Sequence, residues 1–411
     1  MPSICLYFQV HQPRRVKKYR IFDVGNDHQY FNDESESERN NKKVLAKVAQ
    51  KSYLPANELF LKLLKKYKKL KLAFSFTGVL LEQLEEDFPN VLDAFKKLVE
   101  TGRVEILSET FYHSLAFFFD KIEFESQVEL HKEKIKKVFG VKPCVFRNTE
   151  LAYSNELALW AEKKGYKAIL AEGWDKFLGW RSPNFVYKPK GAKKIRLLLK
   201  NYRLSDDIAF RFSEKSWSSW PLTSEKFASW INAINGNGQI VNLFMDYETF
   251  GEHQWEDKGI FQFLEKLPGE ILKHPDNDFV TPSEAVGKYP PMDEIDVPGV
   301  VTWADMERDL SAWVGNSIQS SALDFIYKLK DKVLQTGDLG IIEDWRRLQT
   351  SDHFYYMCTK WFSDGDVHKY FNPYESPYEA FISYMNAAQD LKLRVENAIC
   401  KKLAKKGRVN K

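Results

Sequence analysis

Over the first two-thirds of the chain, short apolar runs alternate with longer stretches of helical periodicity, and several runs end on a polar residue that is costly to bury. Ser3–Val10 (SICLYFQV) reads as a strand and runs straight into His11-Gln12-Pro13. Lys71–Phe76, Arg103–Ser108, Pro143–Arg147, Tyr166–Ala171, Ile195–Tyr202 and Gln239–Met245 read the same way. Between them, Tyr53–Leu70 carries Leu59, Leu63, Leu64 and Tyr67 on one helical face, and Val79–Val99 is helical with an interruption around Pro89. Glu123–Val138, Asn155–Lys164 (closed by Gly165) and Glu225–Asn235 predict further helices. Near-continuous apolar strands separated by helices predict an α/β fold with a parallel sheet covered by helices.

The positions of the polar residues favour a closed barrel over an open sheet. His11, Glu109, Glu150 and Asp246 fall just after strands, and barrel enzymes build their sites at the C-terminal strand ends. An open doubly wound sheet would place a glycine-rich loop after its first strand, where this chain has His11-Gln12-Pro13. The texture changes around Pro282, Pro290, Pro291 and Pro298. Beyond them Ser317–Gln335, Leu339–Phe362 and Tyr378–Lys402 are helical in pattern. The expectation is a catalytic barrel over residues 1–290 and a helical domain over 291–411 that completes a substrate groove. The polar run Asn32–Lys43 is expected to be a loop.

Composition excludes several classes. Of 411 residues, 44% are hydrophobic and 29% charged, which is globular rather than disordered. The net charge of +4 is modest, and much of the excess lies in Lys401, Lys402, Lys405, Lys406, Arg408 and Lys411, where a solvated helix end accounts for it. No nucleic-acid partner is expected. The four cysteines form no CxxC pattern, so neither a zinc ribbon nor a disulfide framework is indicated. No signal peptide is visible and no apolar run is long enough to cross a membrane, so a cytoplasmic enzyme is expected. The eight histidines show no HxxxH or HExxH spacing, so neither a metal nor a cofactor is expected. Oligomeric state is not set by the sequence.

Two segments carry the chemistry: Phe146–Tyr153 (FRNTELAY) and Phe244–His253 (FMDYETFGEH). Each is an apolar run delivering a carboxylate, and a pair of carboxylates is the minimum equipment of a glycosidase. Arg147 lies close enough in sequence to hold Glu150 ionised by Coulomb attraction. In the second segment spacing alone does not choose among Asp246, Glu248 and Glu252. His11, at the end of the first strand, could donate to a sugar hydroxyl.

His11-Gln12-Pro13, Gly102-Arg103-Val104-Glu105, FRNTELAY and MDYETFGEH resemble the successive signature regions of glycoside hydrolase family 57. Asp309–Asn316 (DLSAWVGN) and Gln349–Met357 (QTSDHFYYM) are similar to its α-amylase branch. The resemblance runs in order from position 11 to about 385. It implies an incomplete (β/α)7 barrel followed by a helical region, and a retaining mechanism on α-glucans or maltooligosaccharides. It implies Glu150 as nucleophile and Asp246 as general acid/base. His11, Glu105, Arg147 and His253 fall in regions that line the sugar site, and Asp352 matches an aspartate given by the helical region. Tyr355 stands where relatives often carry a Trp, and Arg147 replaces a Trp of the glucanotransferase branch. Trp174, Trp255 and Trp313 are candidate platforms for glucose rings, with core packing as the competing reading. The rival activities are 4-α-glucanotransfer or branching on the same fold, non-catalytic glucan binding, and metal-dependent deacetylation.

Overall fold

The computed structural model describes residues 2–33, 40–360 and 371–409. It divides into two compact units, one formed by Met1–His11, Ala46–Thr110 and Val128–Ala304, the other by Gln12–Leu45, Phe111–Gln127 and Asp305–Lys411. The first contains the strands. They are β1 (Ser3–Val10), β2 (Leu72–Phe76), β3 (Val104–Ile106), β4 (Val145–Phe146), β5 (Ala168–Glu172), β6 (Val186–Pro189), β7 (Arg196–Lys200), β8 (Ile240–Asp246), β9 (Asp278–Phe279) and β10 (Glu294–Ile295).

One sheet has the order β3-β2-β1-β8, with β9 pairing the first residues of β1; the other has the order β10-β6-β7-β5-β4. Every pairing is parallel except β6 with β7. The expected α/β fold with a parallel sheet is present. The two sheets are linked at both junctions. Ser108, just past β3, forms a parallel bridge with Phe146, and the Asn201 amide after β7 donates to the Asn242 carbonyl of β8 at 2.9 Å.

Period-2 alternation sorts each strand's side chains into two sets. On β1, Phe8 packs among Phe60, Phe74, Tyr247 and Phe250, the aromatic layer between strands and helices. Cys5 and Tyr7 point the other way, into a second core with Ala73, Leu107, Val145, Leu170, Leu198 and Phe244. Both sheets feed this second core, so its members fix the parity of β1, β2, β4, β5, β7 and β8 and of the chain just past β3. Stepping two residues beyond the last core member gives Gln9 on β1, Glu109 after β3, Arg147 after β4, Glu172 on β5, Lys200 on β7 and Asp246 on β8. Because these strands are parallel, all six polar residues lie at one end of the same core.

The helices follow the expected positions with local breaks. The pattern over Ser317–Gln335 forms two helices, Ser317–Lys328 and Lys330–Thr336, and that over Leu339–Phe362 forms Leu339–Arg347 and Ser351–Tyr355. Residues 361 and 362 lie outside the described residues, as do 34–39 of the expected loop. Asn41–Lys43, also expected as loop, instead open the helix Asn41–Val48, which Asn40 caps by accepting from the Lys43 amide. The final helix spans Pro377–Val409, and among the described residues no helix is long and apolar enough to cross a membrane.

Candidate active site

The segment after β4 departs from ordinary backbone geometry. Glu150 (φ 58°, ψ 26°) and Leu151 (φ 50°) are consecutive non-glycine residues in the left-handed region. Each such residue costs on the order of 1–3 kcal/mol, and persists only where its surroundings over-determine it. Here they do. Thr149 Oγ1 bonds Thr110 Oγ1 at 2.9 Å, the Asn148 side chain donates to the Ala152 carbonyl at 3.0 Å, and Tyr153 pairs with Val301 in an antiparallel bridge. The Trp303 amide donates to the Glu150 carbonyl at 3.1 Å, while the Trp303 indole Nε1 donates to Glu150 Oε2 at 2.7 Å. The Glu150 residue is 3% exposed.

Arg147 is fully buried, and its guanidinium is committed elsewhere than the sequence suggested. Nη1 reaches Glu109 Oε2 at 3.4 Å, Nη2 donates to the Gln9 side chain, and its centre lies 5.3 Å from the Trp303 ring. Lys200 Nζ sits 5.4 Å from the same ring, bonds Asp206 at 2.9 Å and lies 3.6 Å from Glu172. Burying such charges is tolerable only where they are paired, as these are. The layer is insulated beneath by Tyr7, whose hydroxyl bonds Ser75 at 2.7 Å and is pushed well up in pKa, chiefly by burial. His131, on the helix Lys121–Phe139, braces Glu109: its Nδ1 accepts from the Glu109 amide at 3.4 Å and its Nε2 bonds the Phe76 carbonyl at 2.8 Å. Burial holds the His131 imidazole below its ordinary pKa of 6.5, so the ring is neutral.

At the end of β8 the three acids separate by environment. Asp246 ends the strand in register with Gln9 and is half-buried. The Glu248 carboxylate accepts from the Tyr53 hydroxyl, and Glu252 pairs with Lys47 at 2.7 Å, so both face the surrounding helices. Gly251 makes this loop possible. It has φ +104°, and a Cβ there would lie 1.9 Å from the Lys51 carbonyl oxygen, in the π-helical turn Ala49–Tyr53.

The remaining sequence candidates are divided between the two units. His11 Nδ1 bonds Thr77 Oγ1 at 2.8 Å, at the ends of β1 and β2. His253 is half-buried in the loop, its amide donating to the Glu248 carbonyl at 2.9 Å. Trp255 is 47% exposed with Lys51 and Lys258 near its ring, and Trp174 is partly exposed with Lys176 5.0 Å from its ring. Glu105 is not brought to Glu150. It lies on β3 four residues before Glu109, about 13 Å along an extended strand. There it accepts from the Ser283 amide at 2.9 Å and the Cys144 thiol at 3.6 Å. In the second unit, Asp352 is 6% exposed on the helix Ser351–Tyr355, and the Tyr355 hydroxyl reaches Asp305 at 3.5 Å. Trp313 has no exposed surface and packs edge-on against Tyr355, which leaves no ring face for a sugar.

Three participants went unused in the sequence reading. Glu172 and Lys200 end apolar runs just as Asp246 does, and the same rule could have found them. Trp303 carried no local signal, since its partner lies 153 positions earlier.

Buried carboxylates held by an indole and by cations at parallel strand ends suit acid/base and nucleophilic chemistry. The family model for glycosyl hydrolase family 57 matches residues 5–298. A Methanocaldococcus jannaschii protein named "Putative alpha-amylase" is 42% identical over 409 residues, covering 97% of this chain and 86% of its own length. An α-amylase of Pyrococcus abyssi is 24% identical over 290 residues, which are 69% of this chain but 42% of that protein. Among solved structures, the branching enzyme of Thermococcus kodakaraensis superposes with a TM-score of 0.69 at 14% identity, over 96% of this chain and 90% of that one. That likeness is one of fold. With the family model spanning most of the chain and a full-length relative at this identity, the chain belongs to glycosyl hydrolase family 57 and is a glycoside hydrolase.

Proposed function

We propose that this protein is a retaining, α-amylase-like hydrolase that cleaves α-1,4-glucosidic bonds of an α-glucan or maltooligosaccharide. The observation that carries the reading is Glu150, a nearly buried carboxylate held in strained backbone at a strand end. Asp246, more open to solvent, ends β8 at the same end of the core. The parallel pairings, the Ser108–Phe146 bridge and the Asn201–Asn242 bond support an incomplete seven-stranded barrel of β1, β2, β3, β4, β5, β7 and β8.

In this mechanism Asp246 enters protonated and donates to the glycosidic oxygen as the bond to the anomeric carbon breaks. A Glu150 oxygen attacks that carbon from the opposite face and forms a glycosyl-enzyme. Asp246, now a carboxylate, takes a proton from water, whose oxygen displaces Glu150 and restores the α-configuration. In this reading His11 and His253 are the candidates for contacts with sugar hydroxyls, and Trp174 and Trp255 for contacts with sugar ring faces. The 42% identical relative favours hydrolysis over glucan transfer.

Incubation with amylose, maltoheptaose and pullulan, followed by product sizing, tests the reading. Shorter α-anomeric products are expected from amylose and maltoheptaose. Products longer than the substrate would replace hydrolysis by transfer, and glucan binding without turnover would sink the enzymatic reading. Glu150→Gln should lower turnover by at least roughly 10⁴-fold with the fold intact, and an active variant would remove Glu150 from the role.

A further inference from the structure

We propose that Trp303 is the positioning residue of the Glu150 carboxylate, a role that sequence proximity would have given to Arg147. The inference rests on the reading of Glu150 as nucleophile and names what aims it. Trp303 holds Glu150 at two points, through its amide to the Glu150 carbonyl and through its indole Nε1 to Oε2. The pair of bonds fixes both the left-handed backbone and the direction of the carboxylate. One oxygen is occupied by a donor that cannot ionise, which orients the other oxygen toward the opposite side.

The indole is itself held. Arg147 and Lys200 lie 5.3 and 5.4 Å from its ring, each within cation–π range, and each is tied down by a carboxylate. Positive charge beside the ring draws electron density away from Nε1, making its N–H a stronger donor to a carboxylate. The positive charge of Arg147 and Lys200 thus reaches Glu150 through a neutral ring. The charged groups around this assembly are Arg147 with Glu109, Lys200 with Glu172 and Asp206, and Asp246 at the neighbouring strand end.

The test replaces Trp303 by β-(3-benzothienyl)alanine, which keeps the bicyclic ring and substitutes sulfur for the N–H, and in parallel uses Trp303→Phe. The first readout needs no turnover. It is the ¹³C titration of the Glu150 carboxyl in glutamate-labelled protein, assigned by its disappearance in Glu150→Gln. Loss of the N–H should raise the Glu150 midpoint by about one pH unit in both variants. The acidic limb of the pH–rate profile should move by the same amount, and kcat should fall about tenfold with KM little changed, because alignment rather than ground-state binding is lost. An unmoved carboxyl midpoint and acidic limb in the folded benzothienyl variant would overturn the proposal. A raised midpoint in a protein that turns over no α-glucan would uphold the positioning role while sinking the enzymatic reading.

Discussion

Both ends of the second core hold carboxylates on the same face of β3, and their surroundings differ in kind. At one end Glu105 accepts from a backbone amide at the start of the helix Pro282–Lys288 and from a thiol, with no strained backbone nearby. Such bonds finish a helix terminus and close the bottom of a core. At the other end Glu109, Glu150, Glu172 and Asp246 gather with two buried cations, a neutral histidine and two consecutive left-handed residues. A stable fold needs nothing so costly there. The contrast locates function by the expense of the arrangement rather than by the presence of an acid.

The contrast can be broken first at Arg147. Replacing it by Met removes one partner of a fully buried ion pair and its attraction for Glu109, which should cost about 3–5 kcal/mol in denaturant unfolding. Adding Glu109→Gln should recover most of that loss. A single variant within 1 kcal/mol of the parent would show that the charged layer is not under the stress described.

The next effect in size is on pH. His131 is neutral in the fold, its pKa held below 6.5. As pH falls below 6.5 the unfolded chain takes up the proton and the folded chain does not, so stability falls. The slope should reach about 1.4 kcal/mol per pH unit until the lowered folded pKa is crossed. Unfolding midpoints followed from pH 7.5 to about pH 5 should show this decline in the parent and a flatter curve in His131→Gln. Parallel curves would discount the burial of this ring.

The smallest effect is expected at the far end. Glu105→Gln should cost about 1 kcal/mol or less and leave turnover within twofold of the parent. A large loss of rate at unchanged stability would return Glu105 to the sugar site and dissolve the distinction between the two ends.

Much of this architecture was legible in the sequence, and the parts that were not share physical causes. Strands β1, β2 and β8 were visible because an uninterrupted apolar run has little choice but to be buried on both faces. β6, four residues ending at Pro189 and antiparallel to β7, gave no such run. Leu329 divides one expected helix in two without a glycine or proline to announce it. Within the site, Glu150 and Asp246 stood out by position, but Glu105 and Glu109 share a parity, and sequence does not say at which residue β3 ends. The bond from Trp303 to Glu150 could not be read at all. Proximity pointed to Arg147, whereas the bond comes from Trp303, far along the chain and near only in space.

The alternation that sets Gln9, Glu109, Arg147, Glu172, Lys200 and Asp246 two residues past a core side chain also constrains how the protein can change. Insertion or deletion of one residue within any of these strands would turn its polar end outward and its core residue with it, so that specificity and stability would be lost in a single event. Length changes farther out in the loops, beyond Asn148–Tyr153 and Asp246–Gln254, carry no such penalty. Descendants of this chain are therefore free to vary the outer loops, while the spacing inside each strand and in the segments that carry Glu150 and Asp246 is inherited as a unit.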